Sequence, residues 1–403
     1  MAHRMFLDAR NAPVIRDLLD FLGGNLLDYR KEFAEFDDVI YLNAANQGPL
    51  PLASAHAAQE AIGWKKQPYQ MPDSLYFDLP DRIRACIARL IGADAEDIAL
   101  TTGASAGMAA VAAGMDWKPG DEVLVGRGEF PAHFAIWLPY QKAGRLSLKV
   151  ISPRERFFNA DDYIQQIGPR TRLVSASLVR FDDGARLDAA RVAEACHAAG
   201  ATLLLDVSQC CGAMPLDVKT LGADFFVCAG YKWLLSPYGT GFFWVKREWS
   251  DRLVPGPFYW MALEGARQFH DLPLENLRAL PGARRWDSPE TSNFINLSAM
   301  AESLEFLLRV GVDKVSAHIG RLVVELIERL PLDRCVLASP AAAGQRGPYV
   351  CVSARTVETT HALYQKLRQA KIVVSLREGA LRIAPHVYNT ERDIAQLAAA
   401  LAV

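Results

Sequence analysis

Continuous apolar runs alternate with amphipathic stretches along most of the chain. The runs predict strands that are buried on both faces of a sheet, because they lack the polar alternation of a half-exposed strand. The stretches between them, which include residues 106–113, 161–167 and 188–199, predict helices. This β-α-β-α order predicts an α/β fold with a mostly parallel, doubly wound sheet. The predicted strands are residues 97–100, 122–125, 146–151, 173–179, 202–206 and 224–229.

The start of the chain has a different pattern. Residues 10–35 carry an amphipathic repeat that predicts an N-terminal helix. A short β-rich run at 39–42 then leads into a turn that contains Asn46. The following residues, 54–90, predict helices that are broken near prolines, at Pro68, Pro72 and Pro80.

The end of the chain also differs, because the alternation changes from about residue 311 to a small α+β pattern. We therefore expect an N-terminal helical arm at 1–45, a large α/β domain at 46–295 and a small C-terminal domain at 296–403. In the small domain, the pattern predicts helices at 315–330, 359–370 and from 391, and strands at 349–353, 373–375 and 381–383.

Composition and charge exclude several classes of partner. The 403 residues are 51% hydrophobic and 22% charged, with a formal charge of −2, and no basic run indicates a nucleic-acid or anionic-membrane surface. No apolar run reaches membrane-spanning length and the first residues lack a signal core, so we expect a cytoplasmic protein. The seven scattered cysteines predict reduced, buried thiols, and no cluster at ligand spacing predicts a metal site.

The stretch from residue 202 to residue 245 carries the candidate chemistry. One apolar run ends on Asp206, and the next is followed shortly by Lys232, so neighbouring strands deliver an acid and a lysine to one edge of the sheet. Pyridoxal phosphate needs a lysine to hold its aldehyde as a Schiff base and a carboxylate to keep its ring nitrogen protonated. On spacing alone, a structural carboxylate and a surface lysine remain alternatives.

A second feature is the turn at residues 101–105, which lies between a predicted strand and a predicted helix. Backbone N–H groups at a helix start, together with the helix dipole, form an anion site, and Ser105 could add a hydroxyl. Taken alone, a small-residue turn of this kind is weak evidence, because it is more often an ordinary helix cap.

Several motifs in order resemble one family. Asp206, Gln209, the run Tyr-Lys-Trp-Leu-Leu at 231–235 and the run Pro-Tyr-Gly-Thr-Gly-Phe at 237–242 are similar to the class V aminotransferases, which are fold-type I pyridoxal-phosphate enzymes. The family includes cysteine desulfurases, kynureninase and isopenicillin N epimerase-like proteins. The resemblance extends over nearly the whole chain and implies a fold-type I large domain, a pyridoxal phosphate cofactor and a small amino-acid substrate.

The resemblance also implies roles for single residues. Lys232 would form the Schiff base and act as the catalytic base, and Arg382 and Asn46 would lie on the substrate side, with Arg382 on the α-carboxylate. Thr291 would bind the phosphate of the neighbouring subunit's cofactor, which implies a homodimer. The other cofactor contacts would be Ala104 and Ser105 on the phosphate, Phe130 on the ring face, Asp206 on the ring nitrogen, Gln209 on the ring hydroxyl and Tyr231 on the phosphate.

The type of reaction is less well defined. Desulfurases of this family carry a nucleophilic cysteine just before the carboxylate-binding arginine, whereas the loop at 375–381 has none, and Cys351 lies well upstream. Phe130 stands where desulfurases have a histidine, and a phenyl ring cannot transfer a proton. We therefore expect Cα deprotonation through an external aldimine, followed by lyase or epimerase-like chemistry. Transamination and cofactor binding without catalysis remain alternatives.

Some residues stay unassigned. Arg180 and Asp183 replace the small polar residues that relatives place near the ring hydroxyl, and His133 is as consistent with a structural as with a catalytic role. The aromatic loop at 255–260 could wall the substrate pocket or pack a dimer interface. A nucleotide-binding oxidoreductase is disfavoured, because no Gly-x-Gly-x-x-Gly turn precedes a helix.

Overall fold

The computed structural model describes residues 29–254, 259–268, 274–291 and 293–402. Most of the predicted helix at 10–35 and part of the aromatic loop at 255–260 lie outside these residues. The strands of the described part are β1 Ile40–Tyr41, β2 Ile98–Thr101, β3 Glu122–Gly126, β4 Ser147–Ile151, β5 Thr171–Ser177, β6 Thr202–Asp206, β7 Phe225–Ala229, β8 Gly241–Val245, β9 Cys335–Leu337, β10 Val350–Ala354, β11 Ile372–Val373, β12 Ser375–Arg377 and β13 Ala380–Ile383.

Helices occupy most of the connections between these strands. The α-helices of the described part are α1 Leu52–Lys66, α2 Leu75–Ile91, α3 Ala104–Gly114, α4 Ala132–Ala135, α5 Leu138–Lys142, α6 Ala160–Ile164, α7 Ala189–Ala198, α8 Val218–Leu221, α9 Phe294–Val310, α10 Val312–Glu328, α11 Val357–Gln369 and α12 Glu391–Ala402.

The largest sheet in the described part has seven strands in the order β2-β8-β7-β6-β5-β3-β4. Strands β3 to β7 run parallel to one another, whereas β8 is antiparallel to both β7 and β2. The predicted mostly parallel sheet is therefore confirmed. The carboxyl ends of β3, β5, β6 and β7 lie at one edge, where ligands gather in folds of this type.

Helices cover both faces of this sheet, as the continuous apolar runs require. Strand β6 shows the arrangement: Leu203 and Leu205 belong to the core on one face, and Leu204 belongs to the core on the other. All three side chains are fully buried. Because successive residues of a strand point to opposite faces, a strand covered on both sides must be apolar at every position.

A smaller antiparallel sheet, in the order β12-β13-β10-β9, forms near the end of the chain. Strand β1 pairs in parallel with β11, so the segment before Asn46 is attached to this C-terminal region. Helix α9 packs against α1 and α2. The domain boundaries near residues 45 and 295 stay predictions.

Two predictions about helices need correction. Residues 29–35 contain only the 3-10 turn Arg30–Glu32, so a helix does not continue to residue 35. Pro80 lies inside helix α2 and does not break it. This proline is near the start of the helix, where it removes few intrahelical hydrogen bonds, and its ring is buried against the core.

All seven cysteines lie in the described part; they are buried and unpaired, as expected for reduced thiols. Within the described residues, no helix is both long enough and apolar enough to cross a bilayer.

Candidate active site

Asp206 and Lys232 meet at the carboxyl edge of the sheet. Asp206 is the last residue of β6, and Lys232 follows the end of β7 by three residues. Each is 8% exposed, so both ionisable groups are largely removed from water. This burial is costly unless the charges have partners, which makes the pair a candidate functional site.

The Lys232 amine lies between two aromatic rings. Its Nζ atom is 5.4 Å from the ring centre of Phe130 and 5.6 Å from that of Tyr231. Burial lowers the pKa of Lys232 to about 8; the Asp206 charge opposes this shift, and the Arg382 charge adds to it. About a tenth of the amine is therefore unprotonated, and nucleophilic, at pH 7, far more than for an ordinary lysine.

The loop that follows β1 packs directly on the backbone of this lysine. The Gly48 N–H donates a hydrogen bond to the Tyr231 carbonyl at 2.9 Å. A Cβ atom at position 48 would lie 2.2 Å from the Lys232 carbonyl oxygen, so glycine is required by this close approach. The loop therefore brings Asn46 to the edge of the same pocket.

The Asp206 carboxylate faces His133, which is fully buried. His133 Nε2 lies 3.7 Å from Asp206 Oδ2, an ion-pair distance, and Asp206 Oδ1 accepts a hydrogen bond from the Ser208 N–H at 2.8 Å. Burial alone would raise the pKa of Asp206, but His133, Lys232 and Ser208 outweigh it, so the pKa is lowered. The acid therefore stays ionised and ready to pair with a protonated group.

His133 is itself held by a buried carboxylate. Its Nδ1 lies 2.8 Å from the Ser175 hydroxyl, and its Nε2 lies 4.0 Å from Glu129 Oε2. Burial would lower the pKa of His133, but the charges of Glu129 and Asp206 raise it. The imidazole is thus stabilised as a cation between two acids.

Glu129 connects this histidine to Arg180. Its carboxylate accepts hydrogen bonds from the Ser177 backbone N–H at 2.9 Å and the Ser177 hydroxyl at 2.6 Å, and lies 3.6 Å from Arg180 Nη1. Arg180 in turn pairs with Asp182 at 2.8 Å and lies 4.0 Å from Asp183. We call Glu129, His133, Arg180 and Asp206 the buried charge cluster, since each has an opposite charge beside it.

The start of helix α3 supplies an anion site near the same edge. No side chain caps this eleven-residue helix, because its N-cap is Gly103, so the N–H groups of Ala104 and Ser105 are left for a ligand. A Cβ atom added at Gly103 would meet no other atom within 4 Å, which indicates open space above the turn.

Thr291 lies in a cavity of about 390 Å³ that Thr101 and Thr102 also line. Its hydroxyl donates a hydrogen bond to the Ser288 carbonyl at 2.8 Å. The cavity thus joins Thr291 to the turn that leads into helix α3. Its predicted contact with a neighbouring subunit's cofactor stays a prediction.

Gln209 connects the loop carrying Asn46 to the lysine segment. Its side-chain amide donates a hydrogen bond to the Ala45 carbonyl at 3.2 Å, and its oxygen accepts one from the Trp233 indole N–H at 3.2 Å. One amide N–H remains for the predicted contact with a ring hydroxyl. The Tyr231 ring packs against that of Tyr238, which is exposed, with ring centres 4.5 Å apart and the planes tilted by 38°.

Two arginines lie on the opposite side of the site. Arg382 is 2% exposed and donates to the Phe181 carbonyl at 3.0 Å. Arg377 donates to the Asn46 side-chain oxygen at 2.8 Å and to the Leu376 carbonyl at 2.9 Å. Within the described residues, neither guanidinium forms an ion pair with a carboxylate.

The residues present fit pyridoxal phosphate. Lys232 is buried with a lowered pKa, Asp206 is a buried carboxylate kept ionised, and the uncapped start of α3 can receive a phosphate. Phe130 adds a ring that is 40% exposed although it lies beside the buried amine, as expected of a surface that stacks on a ligand.

Most of the predicted site residues therefore lie together, but the sequence missed three others. His133 and Glu129 had no assigned role, although both follow the end of β3, at the edge of the sheet where the other site residues were expected. Arg377 was not singled out at all. The sequence separation of Arg377 and Arg382 does not show that they share a face. This follows only from the pairing of β12 with β13.

Comparisons with known proteins identify the family of this chain. The family model for aminotransferase class-V matches residues 76–397. Isopenicillin N epimerase of Streptomyces clavuligerus is 27% identical over 378 residues, which are 90% of this chain and 94% of that protein. A probable cysteine desulfurase of Methanothermobacter thermautotrophicus is 26% identical over 306 residues, 74% of each chain.

A solved structure shares the fold. It is a mutant of C-DES with glycine covalently linked to its PLP cofactor; the TM-score is 0.84 at 21% identity, over 93% of this chain and 98% of that one. The fold is that of a fold-type I pyridoxal-phosphate enzyme. The chain belongs to the aminotransferase class-V family, and pyridoxal phosphate is its cofactor.

Proposed function

We propose that this enzyme removes the Cα proton of a small amino acid and then catalyses a lyase or epimerase-like reaction. The observation that carries this proposal is the buried Lys232 amine, whose pKa is lowered to about 8 beside the ionised Asp206 and the guanidinium of Arg382. When bound, the cofactor supplies an electron sink that stabilises negative charge at Cα.

The residues of the chain divide the work among them. Arg382 binds the substrate α-carboxylate, since its planar fork matches a carboxylate and no acid of the described residues occupies it. Lys232 holds the cofactor and, once released by the substrate, accepts the Cα proton on Nζ. Asp206 keeps a negative charge against the ring nitrogen, and Phe130 shields one face from water without offering a proton.

The surroundings of Cys351 argue against a persulfide-forming reaction. Burial raises the pKa of Cys351 to about 12, and its thiol donates to the Asp182 carbonyl at 3.3 Å. A thiol of this kind is a poor nucleophile at neutral pH, because the thiolate is the reactive form. Cys351 lies on β10, and the β12–β13 hairpin that carries Arg382 contains no cysteine.

Hydrogen exchange at Cα tests this proposal. The holoenzyme is incubated with a panel of amino acids in deuterated water, and NMR follows loss of the Cα proton and the product. A keto acid with free ammonia indicates a lyase, an enantiomer indicates an epimerase, and a keto acid that appears only with an added keto-acid acceptor indicates an aminotransferase.

Variants at two lysines control this experiment. Lys232→Ala should lower exchange by at least about 10³-fold, because general-base catalysis alone contributes roughly 10²- to 10⁴-fold. The exposed Lys219 should tolerate the same change. Exchange that persists in Lys232→Ala would remove the assignment of this lysine as the base.

We also propose that the enzyme is a homodimer in which Thr291 acts across the subunit interface. The exposed Tyr238 ring, 71% accessible beside the site, supports a covering surface there. Sedimentation tests the dimer. Heterodimers of Lys232→Ala and Thr291→Val subunits should regain one complete site only if Thr291 serves the other subunit. A cytoplasmic location stays a prediction that cell fractionation would test.

A further inference from the structure

The hairpin of β12 and β13 places two arginines on one face. Ser375 pairs with Arg382, and Arg377 pairs with Ala380. Directly paired residues share a face, as do residues two apart on one strand, so Arg377 and Arg382 project from the same face as diagonal neighbours. Their Cβ atoms are therefore about 7 Å apart.

A tight turn fixes this arrangement. Glu378 and Gly379 link the two strands with positive φ angles of 45° and 77°. Two successive residues in this conformation form a type I′ hairpin turn, which matches the twist of the strands and determines their register. A slip of one residue would move one arginine to the opposite face.

This face is directed at the Lys232 site. The Ser375 hydroxyl lies 2.6 Å from the Asn43 side-chain oxygen, and Arg377 donates to Asn46 at 2.8 Å, so the loop after β1 covers this face. The same loop contacts the Lys232 backbone through Gly48. Both arginine charges contribute to lowering the pKa of Lys232, although burial is the largest cause.

No acidic side chain of the described residues neutralises the two positive charges. Within the described part of the chain, the oxygens that Arg377 and Arg382 contact belong to carbonyls and to the Asn46 amide, which carry no formal charge. The Arg382 Nε atom is buried without a hydrogen-bond partner. Two neighbouring cations in a partly buried site repel one another, and an anionic ligand would remove this cost.

We propose that Arg377 and Asn46 form a second anion subsite, and that the substrate is an α-amino acid with an additional acidic group on its side chain. This inference rests on the proposed function, in which Arg382 takes the α-carboxylate. Arg377 then binds the side-chain acid with its planar fork, and the Asn46 amide NH₂, whose oxygen already accepts from Arg377, donates to the same anion.

Binding of two matched ligands tests this inference. Glutarate and its monoamide have nearly the same shape but differ by one negative charge, and neither has an amino group that could react at Lys232. Calorimetry with the holoenzyme should give at least about tenfold tighter binding of glutarate, as expected for charge-assisted hydrogen bonds. In Arg377→Gln the ratio of the two affinities should fall towards one.

Two further variants complete the experiment. Arg368→Gln removes an exposed positive charge from helix α11 of the same region and should leave the ratio unchanged. Arg377→Lys keeps the positive charge but lacks the planar guanidinium, so it should retain part of the preference for glutarate over its monoamide. This variant tests the inference if Arg377→Gln does not fold. A ratio near one in the unaltered enzyme, or the same ratio in Arg377→Gln, would overturn the inference.

Catalysis gives an independent check. Aspartate and glutamate should exchange their Cα proton faster than asparagine and glutamine. In Arg377→Gln this difference in rate should become smaller, mainly because KM for the two acids rises. Because glutarate binding needs no reaction, an enzyme that binds glutarate selectively but exchanges no Cα proton would refute the proposed function alone. An enzyme that exchanges acids and amides equally, without selective glutarate binding, would refute the second subsite alone.

Discussion

Charged side chains lie on two sides of the Lys232 amine, and the two sets differ in how they are neutralised. On the cofactor side, Glu129, His133 and Asp206 form a row of alternating charges with distances of 3.7 to 4.0 Å. On the substrate side, Arg377 and Arg382 contact only neutral oxygens among the described residues. Among the described residues, the first region has counter-charges and the second has none.

This difference indicates what each region does. A buried charge that has its partners within the fold is fixed before any ligand arrives, so the buried charge cluster can hold Asp206 in one protonation state. A buried charge without a partner lowers stability, and it is tolerated where a ligand completes it. If Arg382 binds the substrate as proposed, the cofactor site is preorganised and the substrate site is completed on binding.

Removing one charge from the buried charge cluster should have the largest effect on stability. Glu129→Gln keeps the shape of the side chain but leaves His133 and Arg180 without this counter-charge. Breaking a buried pair by removing one partner costs about 3–5 kcal/mol. Urea unfolding should show a loss of this size.

A matched control for this change is Glu122→Gln, at the start of β3, the strand that precedes Glu129. Glu122 pairs at 2.7 Å with Arg170, whose side chain is 74% exposed. A surface pair of this kind contributes about 0–1 kcal/mol. Equal losses in the two variants would contradict the view that the cluster stabilises the fold through buried charge pairs.

On the substrate side the expected result is the reverse. Arg382→Gln breaks no ion pair within the described residues, so the unfolding free energy should stay unchanged or rise slightly. Its kcat/KM should fall by roughly 10²-fold for every amino acid, since a charge-assisted bidentate contact to the α-carboxylate is lost. Steady-state kinetics and urea unfolding on one sample measure both effects, and a large stability loss without a kinetic defect would contradict the account.

Replacing His133 tests the buried charge cluster through its effect on cofactor affinity. His133→Asn removes the positive partner of Asp206, so the pKa of this carboxyl should rise and its hold on a protonated ring nitrogen should weaken. We expect the dissociation constant of the cofactor to increase roughly tenfold or more. The ion pair of His197 with Asp224, at 3.0 Å, provides the control. Asp224 directly precedes β7, whereas Lys232 follows the end of this strand. His197→Asn should leave cofactor affinity unchanged.

The smallest expected effect is on the pH dependence of cofactor uptake by the apoprotein. Only the neutral amine attacks the aldehyde, and the pKa of Lys232 is about 8, so uptake should rise roughly tenfold from pH 7 to pH 9 and then level off. A positive neighbour disfavours the protonated amine, so Arg382→Gln should move the midpoint to higher pH. A midpoint above pH 10 in the unaltered enzyme would show that the amine is not perturbed.

The large sheet was predictable because buried parallel strands have continuous apolar sequences. The predicted run at 202–206 coincides with β6, and the run at 224–229 includes all of β7. The antiparallel direction of β8 was not predicted, since the residues of a short apolar strand carry no signal for its direction. The predicted helix break near Pro80 was wrong, because a proline near a helix start is tolerated and this one is buried.

The parts of the site that lie at strand ends and within a family motif were predictable from the sequence. Asp206 and Lys232 follow neighbouring strands of the sheet and meet in the structure. The pairing of His133 with Asp206 depends on how helix α4 packs over the sheet, and the alignment of Arg377 with Arg382 depends on the register of a hairpin. Neither arrangement is encoded in the spacing along the chain.

The most direct test of the central claim is to locate the cofactor chemically. Borohydride reduction of the purified holoenzyme should abolish its visible absorption band, and mass spectrometry of the digested protein should find the pyridoxyl phosphate group on the peptide that contains Lys232. A label on another lysine, or a protein that remains colourless after addition of pyridoxal phosphate, would contradict the assignment of this buried amine as the centre of the active site.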